Sequence, residues 1–124
     1  MERLRETDRA LPRGARLHRR EQFTETLAAG DARARRYFRL YVRPNDLSHA
    51  RIGIIASRRV APRAVDRNRM KRMVREVFRT MARRPAGMDI VVELRRCPRQ
   101  ASHAAARLEL LRLLEELAAG RPNH

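Results

Sequence analysis

The chain has 124 residues with 30 Lys or Arg against 14 Asp or Glu, a formal net charge of +16, and one cysteine. That length supports one domain with a modest core, and the single Cys97 excludes an intrachain disulfide or a cysteine-built zinc knuckle. An excess of positive charge this large calls for a strongly anionic partner. Lys71 is the only lysine, and arginine's planar fork, which pairs with phosphate and stacks on bases, favours RNA or DNA over a generic acidic partner. Genomic base composition can also produce such an arginine bias. No run of 18 apolar residues and no signal-like hydrophobic segment occurs, so a cytoplasmic protein without a membrane partner is expected.

Residues 1–15 contain Pro12 and Gly14, have no sustained period, and read as a flexible basic arm ahead of one domain over 16–120 and a short tail at 121–124. Leu17 to Ala29 reads as a first helix with Phe23, Leu27 and Leu17 on one side and Gly30 as its stop. Core packing is the plainest role for Phe23. Tyr37 to Arg43 alternates strictly, which predicts a half-buried strand: Phe38, Leu40 and Val42 on one face, Tyr37, Arg39, Tyr41 and Arg43 on the other. Aromatic rings interleaved with guanidinium groups suit a platform for single-stranded nucleic acid, although a plain solvent face fits the pattern as well. After the turn at Pro44-Asn45-Asp46, residues Ala50 to Ser57 predict a second strand, paired antiparallel with the first.

The stretch from Arg58 to Arg84 carries 11 basic residues against Asp66 and Glu76, which is +9 of the total charge. Met70, Met73, Val74, Val77, Phe78 and Met81 recur at helical spacing, so one face belongs to a core, while Arg72, Arg75, Arg79 and Arg83 fall opposite. Asp66 is expected to cap this helix and Ala86-Gly87 to stop it. A solvated face normally mixes signs, because like charges four residues apart repel. The run Arg75, Arg79, Arg83 sets three like charges at that spacing, so a polyanion site is the sharper reading.

Met88 to Leu94 is apolar through its centre and predicts a strand covered on both sides. Ser102 then looks like the N-cap of a last helix, His103 to Ala119, which buries Leu110, Leu113, Leu114 and Leu117 and stops at Gly120. With two arginines and three glutamates it is a packing element. The fold class expected is α+β: a small two-layer sandwich, a mixed sheet of three to four strands with helices packed on it.

No catalytic set stands out. No serine or cysteine sits in a nucleophile motif, Asp66 and Asp89 suit a cap and a strand edge, and His18, His49, His103 and His124 lack ligand spacing.

The run Arg67-Asn68-Arg69-Met70-Lys71-Arg72-Met73-Val74-Arg75-Glu76-Val77-Phe78-Arg79 resembles the signature of the bacterial ribonuclease P protein component. Arg51-Ile52-Gly53-Ile54 with Ser57-Arg58-Arg59-Val60, Met88 to Val92, and Leu17 to Phe23 extend the resemblance over about residues 13–117. It implies an RNA-binding subunit of an endoribonuclease holoenzyme in which a partner RNA, ribonuclease P RNA, performs the magnesium-dependent removal of the 5′ leader of precursor tRNA. No catalytic residue, no protein-held metal and no obligate protein partner are then expected; Mg2+ belongs mainly to the RNA. On this resemblance Arg58, Arg59, Arg67, Asn68, Arg69, Lys71, Arg72, Arg75 and Arg79 face the RNA subunit. Phe23, Leu27, Arg39 and Tyr41 line a leader cleft, where Leu27 stands in place of an aromatic residue found in several relatives. A left-handed crossover between parallel strands is implied too, against the usual hand.

Overall fold

A computed structural model describes residues 13–120 apart from His18. Most of the expected basic arm, the tail at 121–124, and His18 and His124 lie outside the described residues. The elements are α1 (Arg20–Ala28), β1 (Asp31–Ala34), β2 (Phe38–Pro44), β3 (Arg51–Ile55), α2 (Ala64–Thr80), β4 (Met88–Leu94) and α3 (His103–Ala118), with 3-10 turns at Arg13–Ala15 and Gln100–Ser102. The α+β class holds: one mixed sheet in the order β1-β2-β4-β3, with three helices on it.

β4 is the centre of the sheet because it alone is apolar enough to be covered on both sides; Ile90, Val91 and Val92 are all 0% exposed. It pairs antiparallel with β2, from Phe38 opposite Leu94 to Pro44 opposite Met88, and parallel with β3, from Arg51 opposite Asp89 to Ile55 opposite Glu93. The expected antiparallel pairing of β2 with β3 is therefore wrong. Two half-buried strands flank the strand that needs the most cover.

Parity along the strands divides the two faces. Phe38, Leu40, Val42, Ile52, Ile90, Val92 and Leu94 join the buried residues of α2 (Met70, Val74, Val77, Phe78) and of α3 (Ala106, Leu110, Leu113, Leu114, Leu117) in one core. The opposite face carries Arg39, Tyr41, Arg43, Gly53, Asp89, Val91 and Glu93, and α1 lies across it. Gly53 is where α1 comes closest: a Cβ there would stand 2.5 Å from Cε1 and Cζ of Phe23.

Several boundaries differ from expectation, each for a local reason. The first helix begins at Arg20 rather than Leu17, because the Leu17 N–H donates to the Ile52 carbonyl at 3.0 Å and Arg16 bridges β3. The arm ends earlier than residue 15, since Arg13–Ala15 form a turn that buries Ala15. The N-cap of α2 is Arg63, so Asp66 sits inside the first turn, where it suits the helix dipole without capping. That helix stops at Thr80, well before Ala86-Gly87, as Met81 turns to an extended conformation and packs against the core. Ser102 holds the N-cap position of α3 but makes no capping bond. The missed strand β1, Asp-Ala-Arg-Ala, is an edge strand whose small and charged residues carry no apolar alternation.

Tyr37 is also misplaced by simple alternation. It precedes β2, is 6% exposed, and belongs to the core instead of the platform. Its segment is pinned by Glu109 of α3, whose carboxylate accepts the backbone N–H groups of Arg36 (3.1 Å), Tyr37 (2.8 Å) and Phe38 (3.0 Å). Three donors lose their partner together in Glu109→Ala, so its urea midpoint should fall by an amount equivalent to about 2 kcal/mol.

Candidate nucleic-acid interface

α2 is one unbroken helix of 17 residues whose underside is locked into the core. Its outer face is where the expected contacts divide. Asn68, Arg69 and Arg72 are exposed, and Arg58 and Arg59 project from the turn before the helix. Arg69 lies 3.9 Å from Asp66, a loose pair that leaves its fork largely available. Arg67 is turned back instead: its Nη1 donates to the carbonyls of Ala61 (3.0 Å) and Pro62 (2.9 Å), fixing the approach to the helix. Arg79 is 3.8 Å from Glu76, which also reaches Arg107 of α3 at 3.6 Å, so the ridge is partly neutralised at its far end.

Lys71 and Arg75 point elsewhere. With Arg16, Leu17, Phe23 and the β3 residues Ile52 to Ile54 they line a polar cavity of about 200 Å³ beside the outer sheet edge. The two expected surfaces therefore meet at Phe23, and Arg16, Lys71 and Arg75 make that junction basic.

The four cleft residues are spread across a floor. Phe23 packs over Gly53 on β3; Arg39 and Tyr41 lie two strands away on β2; Leu27 of α1 is 37% exposed. Between them, on β4, stands Glu93, which sequence reasoning missed. Tyr41 Oη donates to Glu93 Oε1 at 3.1 Å, Arg39 Nη1 donates to Tyr41 Oη at 3.3 Å, and Arg39 Nη1 is 3.8 Å from Glu93 Oε1. The hydrogen bond to Tyr41, reinforced by charge from Tyr41 and Glu93 against a small burial effect, raises the Arg39 guanidinium further above its ordinary value. The only signal for Glu93 was its parity with Asp89, which places both carboxylates on the face of Arg39 once the pairing is known.

Asp89 is a second acidic node, 0% exposed. Arg51 donates to it from Nε and Nη2 (both 2.8 Å), Arg43 from Nη2 (2.9 Å) and Asn45 from Nδ2 (2.8 Å), and Glu25 of α1 reaches Arg43 at 3.2 Å. Burial pushes the Asp89 carboxyl up, but bonds from Arg51, Asn45 and Arg43 outweigh it and hold the carboxyl below its ordinary value. A carboxylate already shared by two guanidinium groups is a poor magnesium ligand, so Asp89 does not fit a protein-held metal. Among the described residues no cluster of three or more His, Cys, Asp or Glu is arranged to bind one.

Gly53→Ala tests the seat of Phe23. The new methyl has to displace the ring, so stability should fall by about 1 to 2 kcal/mol and the intrinsic packing of α1 on β3 should loosen; proteolysis of α1 in the folded state reads the second effect.

The fold and site define a small α+β domain that sets an arginine-bearing helix beside a sheet-floored cleft. The family model Ribonuclease P matches residues 11–118, and the chain belongs to this family. It is 40% identical over 119 residues, 93% of this chain and 94% of the other, to the ribonuclease P protein component of Halorhodospira halophila. The corresponding protein of Thioalkalivibrio sulfidiphilus is 46% identical over 90 residues, covering 71% and 73%. Among solved structures, the RNase P protein from Thermotoga maritima superposes with a TM-score of 0.67 at 32% identity, covering 82% of this chain and 96% of that one.

Proposed function

We propose that the chain is the RNA-binding protein subunit of ribonuclease P, holding the catalytic RNA with the outer face of α2 and the 5′ leader of precursor tRNA in the cleft under α1. The observation that carries this reading is the division of α2: Met70, Val74, Val77 and Phe78 are buried while Asn68, Arg69 and Arg72 face outward on an uninterrupted helix. Because the apolar side is committed to the core, the anion met by the other side is a folded RNA and not a membrane. Arginines there neutralise phosphates where two RNAs crowd together, which lets the RNA populate its own magnesium sites more readily. Cleavage belongs to the RNA subunit, and the protein's part is to bind, orient and screen. The same reading places the protein in the cytoplasm with no obligate protein partner.

Reconstitution with the organism's ribonuclease P RNA at low magnesium tests it. Added protein should restore leader removal that the RNA alone performs poorly. Cleavage by the protein with no RNA would mark an autonomous nuclease, and binding to many RNAs with no stimulation would mark a general RNA-binding module. Either outcome overturns the proposal.

A further inference from the structure

We propose that Glu93 is a specificity-determining residue of the cleft, selecting guanine in the leader nucleotide that lies over Tyr41. This rests on the reading of the cleft as the leader site. Glu93 is directly opposite Arg39 in the β2–β4 register, and the two side chains are each about one-third exposed, at 33% and 37%. Tyr41 uses its one proton on Glu93 Oε1 and accepts from Arg39. It therefore has no donor left for RNA. What this part of the floor offers is a carboxylate with unused lone pairs and, 3.8 Å away, a guanidinium with further N–H groups.

That order is acceptor, acceptor, donor. A phosphate has only acceptors and is repelled by the carboxylate, so the backbone is directed away from this point. Among the bases, guanine alone carries two adjacent donors, N2–H and N1–H, followed by the acceptor O6. Adenine and cytosine place one amino group beside a ring nitrogen acceptor, and uracil sets one N–H between two carbonyls. The Watson–Crick edge of an unpaired guanine thus matches the Glu93 and Arg39 pair, and uracil matches it worst.

The test is equilibrium binding of precursor tRNAs, each leader position carrying each of the four bases in turn, to holoenzyme reconstituted with wild-type, Glu93→Gln or Tyr41→Ala protein under non-cleaving conditions. Wild type should prefer guanine to uracil at one leader position by roughly tenfold. Glu93→Gln keeps the shape and an acceptor for Tyr41 but loses the paired acceptors, so the preference should shrink to roughly twofold through weaker binding of the guanine leader. No guanine preference in wild type, or the same preference in Glu93→Gln, overturns the assignment and reduces Glu93 to a cross-strand partner of Arg39. If Tyr41→Ala leaves precursor affinity untouched, the cleft reading itself fails; if Tyr41→Ala weakens binding while Glu93→Gln keeps the guanine preference, only the role of Glu93 does.

Discussion

Raising salt from 50 to 200 mM should weaken the complex of this chain with its RNA subunit by about three orders of magnitude. About six phosphates neutralised by the arginines around α2 give a salt exponent near −5, and a fourfold rise in salt to the fifth power is on the order of 10³. The basis is the segment Arg58 to Arg84, with +9 of the +16 charge, centred on the helix Ala64–Thr80 whose underside is locked into the core. Fluorescence titration across a salt series reads the exponent. A response flatter than about the second power would mean that most of these arginines do not meet phosphate.

Asp89→Ala should be the most destabilising change on the cleft side of the sheet, costing about 3 kcal/mol in urea unfolding. The carboxylate is fully buried and joins β3 through Arg51, β2 through Arg43 and the following turn through Asn45. Removing it takes the counter-charge from Arg51 and leaves Arg43 only its pair with the exposed Glu25. Because the folded-state pKa of Asp89 is held below its unfolded value, its contribution is present above the unfolded value and lost as pH falls through the folded one. Acid unfolding below about pH 4 should therefore be shallower in Asp89→Asn than in wild type. An unchanged acid limb would remove Asp89 from this role.

Much of this architecture is legible in the sequence where a strong period coincides with burial. The stripe Met70, Val74, Val77, Phe78 is buried as its spacing predicts, Met88–Leu94 has the expected bounds, and Leu110, Leu113, Leu114 and Leu117 face inward. What escaped depends on partners distant in the chain. β1 has no apolar pattern because an edge strand buries little, and the neighbour of β2 could be known only once β4 claimed the centre of the sheet. Tyr37 obeys the alternation of β2 yet lies outside it, drawn into the core at a segment held by Glu109.

Side-chain roles are less legible than elements. Arg67 and Arg72 look equivalent in the motif, but Arg67 donates to two carbonyls of the preceding loop while Arg72 is exposed. Composition cannot separate an arginine that holds its own chain from one that faces outward. Glu93 is invisible for the converse reason: a single acid in a strand is unremarkable until the register sets it against Arg39 and Tyr41.

The claim that the outward face of α2 meets the RNA subunit is tested most directly by comparing the salt exponents of wild type and the double variant Arg69→Ala, Arg72→Ala. Both side chains leave the core and the loop contacts untouched, so the variant should fold normally. The exponent should drop by roughly 1.5, on the basis of about 0.7 to 0.9 per lost phosphate contact, with weaker assembly at every salt concentration. An exponent and affinity equal to wild type would contradict the account and move the RNA to another surface.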